Sequence, residues 1–157
     1  MNKITFILNN KTVVTNNDPS KRLLDVLREE FDLIGIKEGC GEGECGACAV
    51  LLNNRLINSC LVPLANVNNQ EVITIEGLSE TKQGKMIIDA FSEEGAVQCG
   101  FCTPGMVMAS HALLSQNPNP TDHEIRIGLS GNLCRCTGYN MIIKAVQRAS
   151  KEGEGLW

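Results

Sequence analysis

The 157-residue sequence has no long apolar run, no run of basic residues, and few aromatic side chains (4%). A membrane-spanning helix needs about 20 consecutive apolar residues, so we expect no membrane insertion. The net charge is -4 and no stripe of basic residues is present, so the sequence gives no sign of a nucleic-acid-binding surface. Residues 1–8 are too short a segment for a signal peptide. We therefore expect a cytoplasmic chain. The alternative is export after folding, directed by a signal sequence on a partner chain.

Cysteine, by contrast, is abundant, with eight residues in the sequence. Thiols stay reduced inside the cell, where patterned cysteines more often bind metal than form disulfides. The first set lies in a glycine-rich loop and has the spacing C-x4-C-x2-C, with a fourth cysteine further along the chain. This is the spacing of plant-type [2Fe–2S] ligation. We therefore predict a cofactor site at four cysteines: Cys40, Cys45, Cys48 and Cys60.

A second set of four cysteines lies in the other half of the chain. Cys99 and Cys102 form C-x2-C, and Cys134 and Cys136 form C-x-C. A C-x2-C pair fits a zinc knuckle, a redox dithiol or an iron site. The C-x-C pair favours iron, because paired zinc ligands are usually separated by two to four residues, but the spacing alone leaves all three interpretations open.

Short β-rich segments and turn signals dominate the first half. Residues 3–8 and 12–15 are joined by Asn9-Asn10, which predicts a hairpin because asparagine tolerates the positive φ of a tight turn. A second hairpin is predicted around Asn53-Asn54, and it would return Cys60 to the cysteine loop. A helix is indicated by four apolar residues on one face: Leu23, Leu24, Leu27 and Phe31.

The second half changes to helical periodicity. Helices are predicted at residues 85–94, 104–115, 124–129 and 140–149. We predict Thr103 as the N-cap of the second helix with Pro104 at its first position, and a capping box from Thr121 to Glu124. Residues 151–157 contain glycines and charges without periodicity, so we expect this tail to be loosely ordered.

These patterns predict an α+β chain built from two units. A last strand at residues 71–75 and Gly77 close a small mixed sheet packed on a helix. The helical unit begins after a short connection. We therefore divide the chain into a mixed sheet-and-helix domain at residues 1–77, which carries the first cysteine set, and a helical domain at residues 84–157, which carries the second.

The two cysteine sets and their flanking residues resemble the small iron–sulfur subunit of the molybdenum hydroxylases, the xanthine dehydrogenase and aldehyde oxidase family. The resemblance covers nearly the whole chain and rests on four motifs in order, at residues 39–48, 58–60, 98–105 and 131–139. Glu44 and the pair after Tyr139 depart mildly from the family pattern, away from the cysteines. The resemblance implies a β-grasp ferredoxin-like domain followed by a four-helix bundle, each holding one [2Fe–2S] cluster.

The resemblance also implies roles for individual residues. An outer cluster would be held by Cys40, Cys45, Cys48 and Cys60, and an inner cluster by Cys99, Cys102, Cys134 and Cys136. The inner cluster would lie beside a molybdopterin in a separate subunit. Gln98 would hydrogen-bond the pterin, and the Cys136 sulfur would lie close to the pterin's amino group. Apart from the resemblance, the position of Arg135 between two predicted ligands indicates a charge that would offset the cluster or pair with a partner carboxylate, with a merely structural role as the alternative.

The implied reaction is hydroxylation of an N-heterocycle or aldehyde in the molybdenum-bearing partner. Its electrons would pass singly through the two clusters to a flavin (FAD) subunit or another acceptor, so this chain needs no catalytic acid, base or nucleophile. Two other functions compete with this interpretation. In the first, the chain is a free-standing two-cluster electron carrier. In the second, it is an interaction module stapled by zinc, without redox function.

Overall fold

The computed structural model describes residues 3–157. Residues 1 and 2, which belong to the N-terminal segment and to the predicted first domain, lie outside the described residues. Within this range the chain forms five strands and six helices. The strands are β1 (Ile4–Leu8), β2 (Lys11–Thr15), β3 (Ala49–Leu52), β4 (Arg55–Asn58) and β5 (Glu71–Ile73). The helices are α1 (Leu23–Glu29), α2 (Ile75–Leu78), α3 (Lys82–Glu93), α4 (Thr103–Gln116), α5 (Asp122–Gly128) and α6 (Asn140–Glu152).

The strands form one mixed sheet in the order β2-β1-β5-β3-β4. Strand β1 is antiparallel to β2 and parallel to β5, whereas β3 is antiparallel to both β5 and β4. Both predicted hairpins form. Asn9 and Asn10 (φ 49° and 65°) turn the first, and Asn53 and Asn54 (φ 48° and 63°) turn the second, as a two-residue turn with positive φ requires.

Helix α1 packs on one face of this sheet. Its apolar residues Leu23, Leu24 and Leu27 are fully buried against Phe6, and burial of each such side chain contributes roughly 1.5–3 kcal/mol. The predicted helical face includes Phe31, but α1 ends at Glu29. Phe31 instead meets Phe6 edge-on at 5.9 Å between ring centroids.

The second half is helical, as predicted, with α3 to α6 close to the expected positions. The capping box between Thr121 and Glu124 is present. The predicted N-cap Thr103 is wrong, because α4 begins at Thr103 itself and Cys102 is its N-cap. The predicted strand at 71–75 is also too long. It ends at Ile73, and Ile75 begins the short helix α2.

The C-terminal tail is packed, which contradicts the expectation of loose order. Helix α6 extends to Glu152, and the Gln83 side chain donates a hydrogen bond of 3.0 Å to the Leu156 carbonyl. Trp157 lies against the helical core with its ring 6.4 Å from that of His111. The sequence lacks a periodic signal here because the tail is held by long-range contacts. Among the helices of residues 3–157, none has the length and apolar character to cross a bilayer.

Candidate metal centres

The first cysteine set is assembled by the loop before β3 and the turn after β4. Cys48 immediately precedes β3, and the ladder pairs Ala49 with Asn58. Ser59 then binds the Cys48 carbonyl twice, through its N–H (3.2 Å) and its hydroxyl (2.7 Å). The hairpin thus brings Cys60 back beside Cys48, as the sequence predicts.

Within the first set the thiols differ in environment. The N–H groups of Glu42 and Glu44 each donate to Cys40 Sγ at 3.3 Å. These hydrogen bonds stabilise the thiolate and lower the pKa of Cys40 to about 7. Cys60 is 4% exposed, and burial, together with its contact to Cys48, raises the pKa of the Cys60 thiol to about 11.

The second set lies where two helices begin. Cys99 and Cys102 precede α4, and Cys134 and Cys136 precede α6. Burial raises the pKa of Cys102 to about 12. Burial also acts to raise the pKa of Cys134, but hydrogen bonds from Thr137 outweigh it and bring the value to about 7.

Sequence reasoning missed two polar side chains of the second set, Thr137 and Tyr139. The Thr137 hydroxyl donates to Cys134 Sγ at 3.1 Å. The Tyr139 hydroxyl accepts the N–H of Cys134 at 2.9 Å, and the Tyr139 N–H donates to the Thr137 hydroxyl at 3.2 Å. The available signal was the threonine directly after the C-x-C pair. A hydroxyl so near two cysteines in sequence can reach one of their sulfur atoms, here that of Cys134.

The eight free cysteines lie close enough within each set to affect one another. In addition to burial, Cys48 raises the pKa of Cys60 and Cys134 raises that of Cys102, and Cys99 raises the pKa of Cys136. Within residues 3–157 no three His, Cys, Asp or Glu side chains are grouped to share a single ion. A [2Fe–2S] cluster with four cysteine ligands takes two on each iron. Each set supplies the four thiols that such a cluster requires, so the donor sets fit [2Fe–2S] clusters.

The second set opens onto the protein surface. Cys99 and Cys136 are exposed, as are the predicted pterin-contact residue Gln98 and the predicted charge-offsetting Arg135. The cysteines line a depression of about 230 Å³. Its apolar walls include Phe101 and Leu133, which are 47% and 56% exposed. Exposed apolar side chains grouped around a site are typical of a surface that another protein covers.

The two sets lie against each other at the junction of the sheet and the helices. The Leu133 N–H, next to Cys134, donates a hydrogen bond of 2.9 Å to the carbonyl of Cys45. A Cβ atom on Gly39 would lie 3.0 Å from Cys45 Sγ and 3.8 Å from the ring of Phe101. Residues of the second set thus contact the loop that carries the first.

Comparison with known proteins agrees with this architecture. A family model described as "2Fe-2S iron-sulfur cluster binding domain" matches residues 6–75, and one described as "[2Fe-2S] binding domain" matches residues 74–147. The nicotinate dehydrogenase small FeS subunit of Eubacterium barkeri is 50% identical over 95% of this chain and 96% of its own length. A probable xanthine dehydrogenase subunit of Bacillus subtilis is 45% identical over 87% of this chain and 79% of its own.

A solved structure shows the same fold. The crystal structure of quinoline 2-oxidoreductase from Pseudomonas putida 86 contains a chain that superposes with a TM-score of 0.91 at 38% identity, covering 97% of this chain and 95% of that one. The aldehyde oxidoreductase of Desulfovibrio desulfuricans matches with a TM-score of 0.92 at 35% identity, where this chain covers 17% of the longer one. The predicted fold is therefore confirmed, and the chain belongs to the iron–sulfur subunit family of the xanthine dehydrogenase and aldehyde oxidase oxidoreductases.

Proposed function

We propose that this chain is an electron relay with two [2Fe–2S] clusters in a molybdenum hydroxylase. Its first cluster is held by Cys40, Cys45, Cys48 and Cys60, and its second by Cys99, Cys102, Cys134 and Cys136. The observation that carries the proposal is the grouping of the eight free thiols into two sets of four, each within the residues matched by one [2Fe–2S] domain family. When bound, each cluster supplies reversible one-electron chemistry.

The protein's own residues bind the clusters, shield them and supply hydrogen bonds to sulfur. Burial of Cys48 and Cys60 (3% and 4% exposed) keeps water from one side of the first site. The main-chain donors at Cys40 and the Thr137 hydroxyl at Cys134 stabilise negative charge on sulfur. Such hydrogen bonds, together with burial, set the potential of an iron–sulfur centre.

The second site meets the molybdopterin-bearing subunit in this proposal. Its support is the exposed apolar surface around Cys99 and Cys136, formed by Phe101 and Leu133. Gln98 and Cys136 are both exposed there, and we assign them as contacts of the partner's pterin. Electrons then pass from the second set to the first, and from the first to a flavin subunit or another acceptor.

We further propose an N-heterocycle as the substrate of the assembled enzyme, with nicotinate as the first compound to test. The support is the 50% identity to a subunit named for nicotinate dehydrogenase. We keep the division into residues 1–77 and 84–157, supported by the two family matches. Eight free thiols favour assembly in the reducing cytoplasm.

The decisive experiment is purification from the native host followed by metal analysis and EPR spectroscopy. We expect iron and acid-labile sulfide, a pterin-bearing protein and a flavoprotein in the same complex, and reduction of both [2Fe–2S] signals by nicotinate. Zinc in place of iron would overturn the cluster assignment. Recovery of the chain alone, loaded with clusters, would favour a free-standing carrier over the subunit. Reduction by an aldehyde or a purine, and not by nicotinate, would change only the substrate.

A further inference from the structure

A buried asparagine joins the two cysteine loops. Asn132 is 5% exposed, and its side-chain amide donates a hydrogen bond of 3.2 Å to the carbonyl of Gly46. The two residues are 86 positions apart, one beside the first cysteine set and one beside the second. Burying a polar amide is unfavourable unless it is hydrogen-bonded, so a buried amide at this place calls for a specific role.

Two glycines allow the backbones to approach closely around this amide. Gly46 has φ +71°, and a Cβ there would lie 2.4 Å from Asn132 Nδ2. A Cβ on Gly105, in the first turn of α4, would lie 2.3 Å from the Gly46 carbonyl oxygen. The Gly46 carbonyl thus lies against both α4 and the Asn132 amide. It also accepts the N–H of Ala49, at 3.2 Å.

The neighbouring hydrogen bond links the two cysteine sets. Cys45 directly precedes Gly46, and its carbonyl accepts the Leu133 N–H at 2.9 Å. Leu133 follows Asn132 and precedes Cys134. A path from the sulfur of Cys45 to that of Cys134 therefore follows covalent bonds throughout, except at this one hydrogen bond. The hydrogen bond from the Asn132 side chain to Gly46 lies directly beside it, because Gly46 follows Cys45 and Asn132 precedes Leu133.

We propose that Asn132 is a positioning residue for electron transfer between the two clusters, acting by holding the Cys45 to Leu133 hydrogen bond in place. The inference rests on the proposed function. In the transfer, one electron leaves the second centre and enters the first, so one is oxidised and the other reduced, and no bond or proton changes. The rate depends on the contact between the loops, and Asn132 maintains that contact through the Gly46 carbonyl.

The test uses the complete complex with Asn132→Leu, which removes the amide, and Asn132→Asp, which keeps the shape but lacks the donor. Ser110→Ala is the matched control. The Ser110 hydroxyl is also buried and bonds the Met106 carbonyl at 2.7 Å, so its loss tests general destabilisation of the helical unit. Three quantities are measured. The first is hydrogen exchange of the peptide that contains Leu133. The others are the spin–spin splitting between the reduced clusters and the rate at which an electron equilibrates between them after flash reduction.

We expect both Asn132 variants to keep two [2Fe–2S] signals. The Leu133 amide should exchange roughly fivefold faster or more, as expected for the loss of about one buried hydrogen bond. The spin–spin splitting should narrow, and the electron equilibration rate should fall several-fold. Ser110→Ala should leave the splitting and the rate unchanged.

An unchanged splitting and rate in the Asn132 variants would overturn the inference. So would equal changes in Ser110→Ala, because they would reduce the role of Asn132 to general stability. If Asn132→Leu loses its second signal, Gly105→Ala decides, because its added Cβ would lie 2.3 Å from the Gly46 carbonyl oxygen and displace it while Asn132 is retained. The splitting should again narrow and the rate fall, and no change in either would overturn the inference. Absence of both cluster signals from the unsubstituted complex would instead refute the proposed function.

Discussion

The two cysteine sets carry the same ligand type but differ in how the protein surrounds them. In the first, Cys48 and Cys60 are 3% and 4% exposed, and the donors to Cys40 are main-chain N–H groups. In the second, Cys99 and Cys136 are exposed, and a side-chain hydroxyl donates to Cys134. The first site is covered by its own domain on the side of Cys48 and Cys60, whereas the second opens onto the protein surface at Cys99 and Cys136.

The difference follows from the local fold. A loop and a hairpin wrap the first set, and the donors to Cys40 are backbone N–H groups, which a side-chain substitution does not remove. The second set lies at the beginnings of α4 and α6, where short connections leave one side uncovered. Mutations should therefore tune the second site more readily than the first, and the following predictions test this asymmetry.

Cysteine-to-serine substitutions should have the largest effect. Cys48→Ser should abolish one [2Fe–2S] EPR signal and Cys136→Ser the other, each with loss of half of the iron. Cys48→Ser should also lower the unfolding temperature more, because Cys48 is buried and Cys136 is exposed. Each variant serves as the control for the other. Survival of both signals in either variant would show that the ligand sets are wrong.

Next in size is the effect of Phe101→Asp on assembly. The Phe101 ring is 47% exposed beside the second set, and a buried aromatic anchor at an interface is worth about 2 kcal/mol or more. We expect roughly 30-fold weaker binding to the molybdopterin-bearing subunit, measured by titration calorimetry. Ile34→Asp is the matched control, because Ile34 is also exposed (62%) but lies in the first unit. Equal weakening by both would contradict the assigned face.

Thr137→Val should shift one reduction potential and leave the other in place. Loss of the hydroxyl donor to Cys134 destabilises the more negative, reduced state, so the second cluster's potential should fall by an amount on the order of tens of mV. Thr137→Ser retains the donor and should restore the potential. Potentiometric EPR titration resolves the two signals. A shift in the first cluster, or none in the second, would speak against this role.

The smallest expected effect is a pH dependence of stability from His111. Burial lowers the pKa of His111 below its ordinary value of 6.5, and its Nδ1 has no hydrogen-bond partner. Below pH 6.5 the unfolded chain binds the proton first, so stability is lost as pH falls through this window. Thermal unfolding of His111→Gln should therefore be less sensitive to acid than that of the unsubstituted protein.

The control for this prediction is His123→Gln, since His123 is exposed at the start of α5. It should leave the acid sensitivity unchanged. Equal acid sensitivity of the His111 variant and the unsubstituted protein would show that the buried imidazole is not the cause.

The features that local chemistry dictates were predictable from the sequence. Asn9-Asn10 and Asn53-Asn54 specify their turns through positive φ, and Thr121 with Glu124 begins α5 through reciprocal hydrogen bonds. The cysteine sets followed from spacing and resemblance. Each of these signals is contained within a few neighbouring residues, so no knowledge of the tertiary fold was needed.

The features that depend on distant contacts were not predictable. The tail packs because Gln83 binds the Leu156 carbonyl, 73 positions away. Asn132 gives no local sign of its bond to Gly46. Thr103 has the local pattern of a cap because it precedes proline, whereas the cysteine pair before α4 extends the turn so that Cys102 takes the cap position.

Strand β3 lies between the two units and belongs to both cores. Val50 packs with α1 and its neighbours, whereas Ala49 and Leu51 face the helices. Cutting the chain near residues 77–84 would expose that second face to water, so the halves should unfold as one cooperative body. We therefore expect packing in this shared strand to set the spacing of the two cysteine sets.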